Sequence, residues 1–163
     1  MMETSNHSEN LEALSYCSSI LYLVDSPLHQ TIIYTVNGKF FKKNTYEKEL
    51  YDYSLVLLYK ALNELKEKYN KTLLQVHIDL KNVTMKNIDY SFIKKFLHTF
   101  QSLEYDTLDK LIVTNIPIFF KLCYKVLKPF VDKDVKKKIF FEKRKKNQVE
   151  FVNQDEELYD EED

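Results

Sequence analysis

Four histidines, two cysteines and a scatter of acids are the groups from which this chain could build a reactive centre. His7, His29, His77 and His98 lie at no spacing that sets one beside another His, a Cys or an acid on one helix face, so no metal site is expected. His77 falls in Leu73–Leu80 (LLQVHIDL), which alternates as a strand with Leu74, Val76, Ile78 and Leu80 on one face. It reads as a satisfied core or surface histidine rather than a ligand. Asp79 closes that strand, where α/β enzymes often hold a catalytic acid. Its one companion is the loop acid Asp106, and Asp79 reads better as a structural residue bonding loop amides. Cys17 and Cys123 cannot make a disulfide framework or a Cys-rich zinc site. Cys123, among Leu122, Val126 and Leu127, reads as a small buried hydrophobe. Gly38 is the only glycine, which excludes the Walker A loop, the dinucleotide fingerprint and the nucleophile elbow together. No catalytic residue and no cofactor is expected, and the chain does not read as an enzyme.

The elements that would position these groups alternate. Leu21–Val24 is a short apolar run ending at the turn residues Asp25, Ser26 and Pro27. Thr31–Val36 (TIIYTV) is β-branched and aromatic, hence a strand, and Asn37-Gly38 signals a turn. Phe40-Phe41 either begins a return strand or packs under the next helix. Thr45 is placed to cap a helix to Tyr69 with Leu50, Tyr53, Leu57, Leu58, Ala61, Leu62 and Leu65 on one stripe. After the Leu73–Leu80 strand comes a helix over Asp89–Leu103, with Phe92, Ile93, Phe96, Leu97 and Phe100 on its buried face. Leu111–Val113 is a continuous apolar strand, expected to be covered on both faces. Pro117 opens a helix over Ile118–Lys128, a short helical piece follows over Asp132–Lys138, and Ile139–Phe141 is a last strand. The order predicts an α/β domain with a mixed, largely parallel sheet flanked by helices. Residues 1–15 are polar and expected to be frayed, 16–146 form one domain, and 147–163 form an acidic, disordered tail.

Charge is asymmetric along the 163 residues. Lys121–Lys146 is strongly basic, while the last nine residues hold the acids Asp155, Glu156, Glu157, Asp160, Glu161, Glu162 and Asp163. Without those seven the formal charge would be +6 instead of −1. Such a segment fits either a plain solvated face or an anionic partner surface with the tail as internal competitor. Arg144 is the only arginine, and bidentate base readout favours arginine, so no specific nucleic-acid partner is expected. Lysine suits diffuse attraction to anionic lipid. No apolar run approaches the ~18 residues of a membrane span, and Met1–Asn10 lacks the apolar stretch of a signal peptide, so the expected location is the cytoplasm.

One set of motifs is more specific. The chain reads His77-Ile78-Asp79-Leu80, then Tyr105-Asp106-Thr107-Leu108, then Leu111–Val113 with Asn115-Ile116-Pro117. Leu127-Lys128-Pro129-Phe130 and Lys138-Ile139-Phe140 follow. This order resembles the Sec14-like, or CRAL-TRIO, lipid-binding domain family over about 70 residues, in the manner of a minimal, divergent member. Upstream, Thr31–Tyr69 agrees in its strand–helix order.

The resemblance implies a sheet that floors a hydrophobic pocket and a gate made of the Asn-x-Pro helix and the short helix after it. It implies a lipid, phospholipid or other, as ligand, bound or transferred without chemistry by a peripheral membrane protein. Phe119, Phe120, Cys123, Val126, Leu127, Phe130 and Lys138 are the lipid-binding residues it points to. Lys133, Lys136 and Lys137 would touch the membrane. Lys138 matches a gate lysine that contacts phosphoinositide head groups in some members, and Asp106-Thr107 stand where those members carry Glu-Arg. A protein partner is the alternative, since some family members bind proteins.

Overall fold

Among the described residues, six strands share one sheet in the order in which the chain makes them. They are β1 (Leu21–Ser26), β2 (Thr31–Asn37), β3 (Leu74–Asp79), β4 (Leu108–Thr114), β5 (Ile139–Lys145) and β6 (Gln148–Asn153). β2 to β5 run parallel, and β1 and β6 pair antiparallel at the edges. The fold is therefore the mixed, largely parallel α/β sheet with helices that the alternation predicts. The computed structural model describes residues 2–103, 106–145 and 147–153. Tyr105, Lys146 and the acidic run 155–163 lie outside the described residues.

Helix α2 (Glu47–Tyr69) carries the chain from β2 to β3, and α3 (Tyr90–Gln101) from β3 to β4. From β4 to β5 it passes through α4 (Phe120–Leu127), a 3-10 turn at Lys128–Phe130, and α5 (Lys133–Lys136). Parallel crossovers are nearly always right-handed. Since the strand order never reverses, each crossover returns on the same side. The core shows this. Leu21, Ile32, Tyr34 and Leu74 pack with α2 in one cluster, and Val113, Ile139 and Phe141 pack with Tyr124 of α4 in another. All of these strand residues belong to one sheet face, by the pairing Tyr34↔Val76, Val76↔Leu111 and Leu111↔Ile139. The expectation that β4 is covered on both faces is corrected: Val113 is buried, while Ile112 on the other face joins neither cluster.

Three local readings also change. The segment read as frayed is part of a helix, α1 (Met2–Ile20). Its anchor lies in its last turns, where Ala13, Cys17 and Ile20 are buried at helical spacing. The Tyr16 hydroxyl accepts from the amide of Lys42 (2.8 Å) and donates to the Lys42 carbonyl (3.1 Å). The polar first half hides this, because only the C-terminal part has an apolar period. Thr45 does not cap α2. Tyr46 takes the cap position in left-handed backbone (φ 46°), and Glu47 accepts instead from the Asn44 amide (3.1 Å). Finally, β5 runs on to Lys145 and turns through Asn147 (φ 69°) into β6, so residues 148–153, expected to lie in the tail, form the second strand of an antiparallel hairpin. The Asn153 amide donates to the carbonyls of Lys137 (2.9 Å) and Ile139 (3.2 Å), which fastens the end of β6 to the start of β5.

Phe40-Phe41 resolves in favour of packing. Gly38–Phe40 is a 3-10 turn, and the Phe41 ring lies 5.3 Å from that of Phe92 on α3. Gly38 sits close to its neighbours: a Cβ there would meet Val83 Cγ2 at 3.0 Å, so the Val83 side chain would have to give way.

Candidate functional site

Between the inner sheet face and the roof made by α3 and α4 lies a cavity of about 710 Å³. That is within the ~300–1,000 Å³ of small-molecule sites. Its floor is the period-two row of β2 to β5, including Tyr34, Val76, Ile78, Leu111, Val113 and Phe141. Such a row is apolar because successive side chains alternate across the pleat.

The roof is aromatic. Asp89 caps α3 by accepting from the Phe92 amide (3.2 Å), which starts the helix in register to set Phe92, Phe96 and Phe100 on the cavity side. Phe96 and Phe100 stack at 4.3 Å between centroids. On α4 the cavity-facing residues are Phe120, Cys123, Tyr124 and Leu127. A space with this lining has few ways to satisfy a polar solute and many ways to hold a hydrocarbon.

Polar groups gather at one rim. The Lys138 ammonium donates to Asp106 Oδ2 (2.6 Å) and to the Leu108 carbonyl (2.6 Å). The hydrogen bond from Lys138 holds the Asp106 carboxyl below its ordinary range. Asp132, Asp134 and Gln101 complete this rim. Gln101 ties the end of α3 to the turn after α4. Its amide donates to the Phe130 carbonyl (3.0 Å), and its oxygen accepts from the Asp132 amide (2.8 Å). Lys94 of α3 sits 4.3 Å over the Phe130 ring, a second tie across the same gap.

The structure sorts the residues singled out from the sequence. Phe120, Cys123, Leu127 and Lys138 line the cavity. Phe119 packs into the second core cluster and does not line it. Val126 and Phe130 do not line it either, and both stand on the solvent side. Helical phase is the reason: 120, 123, 124 and 127 share one side of α4, while 118, 122 and 126 share the opposite one. Of the lysines named for membrane contact, Lys133 and Lys137 are exposed and Lys136 is half-buried, on or beside α5. Phe92, Phe96 and Phe100 were legible as an apolar stripe but not as cavity lining, since a stripe looks the same against a core and against a void.

Asp79 behaves as a structural residue. Its Oδ1 accepts from the Asn115 side chain (2.9 Å) and the Lys81 amide (2.9 Å). His77 is placed on the sheet face away from the cavity, and its Nε2 is buried without a hydrogen-bond partner, so it is not the satisfied histidine expected. Among the described residues no three His, Cys, Asp or Glu side chains are grouped to hold a metal. No described helix is long and apolar enough to cross a membrane.

The profile of the CRAL/TRIO domain matches residues 20–158. This chain belongs to the CRAL/TRIO domain family. The match runs beyond 146, in keeping with the β5–β6 hairpin. This CRAL/TRIO chain is also 27% identical over 140 residues to a protein of Candida glabrata named phosphatidylinositol transfer protein SFH5. The alignment covers 81% of this chain and 47% of that protein. A crystal structure of Sfh5 superposes with a TM-score of 0.65 at 19% identity, over 78% of this chain and 50% of that one. The chain thus spans about half the length of the relatives it matches.

Proposed function

We propose that this CRAL/TRIO domain binds one hydrophobic ligand, a lipid, in the cavity under α3 and α4, and exchanges it at a membrane surface that α4 enters. The carrying observation is that α4 is apolar on two opposite sides. Phe120, Cys123 and Leu127 face the cavity. Ile118 just before the helix is fully exposed, and Leu122 on it is 69% exposed. A helix with one apolar side turned to water serves stability poorly, yet at a bilayer that side would be buried. Lys121 and Lys125, both exposed, flank it, and Lys133 and Lys137 lie beyond the rim. The same helix would then be cavity wall and membrane contact, so a ligand could leave the cavity without crossing water.

The naming of one relative as a phosphatidylinositol transfer protein supports a lipid as ligand. No chemistry is needed: each methylene moved from water into the cavity is worth roughly 0.8 kcal/mol. The Lys138–Asp106 pair would meet the polar end of the lipid at the rim.

Native mass spectrometry of the purified chain tests ligand binding, and vesicle flotation tests membrane entry. A co-purifying lipid is expected, with less of it in Cys123→Phe, which fills part of the cavity. Leu122→Asp should lower binding to phosphatidylcholine–phosphatidylserine vesicles about tenfold while leaving the loaded lipid in place. Empty protein from a lipid-rich host would overturn the ligand reading. Unchanged flotation of Leu122→Asp would overturn the membrane reading.

A further inference from the structure

The cavity under α3 and α4 is bounded in size and in charge. Its volume is about 710 Å³. At the ~30 Å³ that a water molecule takes up in the liquid, such a volume holds roughly 24 non-hydrogen atoms. One long acyl chain with a small polar end is of that size. A two-chain phospholipid carries more than twice as many. The walls leave little room for growth. The floor is a hydrogen-bonded sheet whose Tyr34, Leu74, Val113 and Phe141 are packed into the core. The roof is tied down where the Gln101 side chain bonds the Phe130 carbonyl and the Asp132 amide.

Charge sets the second bound. Among the described residues, the charged groups lining the cavity are Lys138, Asp106, Asp132 and Asp134. The single cation of this set is already engaged. Two of the three N–H donors of Lys138 go to Asp106 Oδ2 and to the Leu108 carbonyl, each at 2.6 Å. Lys133, Lys136 and Lys137 do not line the cavity.

We propose, on the reading that this cavity holds a lipid, that its ligand is a one-chain lipid without phosphate, whose polar end donates hydrogen bonds to the acidic rim. A phosphate at this rim would meet three carboxylates, and an ammonium whose charge one of them already balances. Ionised phosphate and carboxylate oxygens both accept hydrogen bonds and repel each other, whereas a hydroxyl donates to the same carboxylates. Two-chain phospholipids are thus disfavoured twice, by size and by charge. This sets the chain apart from the relative named for phosphatidylinositol transfer, of which it matches about half.

Four lipids offered together in phosphatidylcholine vesicles to the delipidated full chain, with the bound species read by native mass spectrometry, test size and charge separately. Monoolein has one chain and no phosphate, and dioleoylglycerol has two chains and no phosphate. Oleoyl lysophosphatidic acid has one chain and a phosphate, and dioleoyl phosphatidylinositol has two chains and a phosphate. Monoolein should be retained about tenfold or more over each of the others. Asp106→Asn, at an exposed side chain, frees Lys138 and removes one carboxylate. It should narrow the gap to lysophosphatidic acid several-fold and leave the gap to dioleoylglycerol as it is, since it alters charge and not size. Retention of dioleoylglycerol or of lysophosphatidic acid on a par with monoolein overturns the proposal, the first on size and the second on charge. Retention of phosphatidylinositol or phosphatidylcholine in its place overturns it on both and leaves the cavity a lipid site. A chain that takes up none of them overturns the proposal together with the lipid-binding reading beneath it.

Discussion

A phenol buried beneath a helix must find an acceptor, and Tyr34 finds the Ser54 carbonyl at 3.0 Å. Burial raises its pKa far above the ordinary phenol range. Tyr34→Phe keeps the ring in the cavity floor and removes one buried hydrogen bond, so a loss of about 1 kcal/mol is expected from urea unfolding. A loss near zero would mean that the hydroxyl contributes nothing where it sits. His77 offers a pH test. Burial lowers its pKa below the ordinary 6.5, with no partner to offset it. The unfolded chain then binds the proton more readily, so stability rises with pH while His77 titrates. The contribution is present above pH 6.5 and is lost as the pH falls from there through the lower, folded-state pKa. His77→Gln should flatten the stability profile in that acid window and leave it alone above pH 7. An unaltered slope would assign the dependence to other groups.

At the scale of elements, the roof is held shut by few contacts. Gln101 makes two hydrogen bonds to the turn that follows α4, and Lys94 covers Phe130. Gln101→Ala removes both hydrogen bonds at an exposed seam, so stability should change by less than about 1 kcal/mol. Release of a bound fluorescent fatty acid should quicken several-fold, as for a loosened lid. Unchanged release would mean that the ligand leaves by another route. The elements also show what a sequence can reveal. α2, α3 and β3 were readable because their apolar residues repeat with one period over many residues. α1 and β6 were not. α1 carries its anchor in its last two turns, and β6 shows Val149 and Phe151 only on a face that nothing described covers. The cavity was legible only through motif resemblance. Periodicity marks the inward side of α3 and α4, but whether Phe96 or Leu127 meets another side chain or empty space depends on how far the roof stands from the floor. The outward stripe of α4 was missed for a related reason, since Ile118 and Leu122 fit the composition of a core helix until its phase is known.

Over the whole molecule, charge and shape are arranged along different axes. The cavity and the exposed side of α4 lie on the helix side of the sheet, and the basic segment 121–146 supplies both α4 and the edge of the cavity. Each lysine near an anionic bilayer contributes about 1 kcal/mol, fading over a Debye length of ~8 Å at physiological salt. The seven acids of 155–163 follow Lys145 by ten to eighteen residues, so they are expected to compete for the same lysines at high effective concentration. Removing them takes the formal charge from −1 to +6. Deleting 155–163 should therefore tighten binding to phosphatidylserine-containing vesicles by about tenfold or more at low salt, equivalent to about 1.4 kcal/mol. The gain should shrink as salt is added and vanish on pure phosphatidylcholine. Lys133→Glu with Lys137→Glu should reduce binding in both the intact and the shortened chain, because these residues are exposed and act through the field rather than the fold. If the deletion leaves binding at low salt unchanged, the tail is only a solubilising extension. If the double reversal also binds normally, the lysines form a plain solvated face, and membrane entry would rest on Ile118 and Leu122 alone.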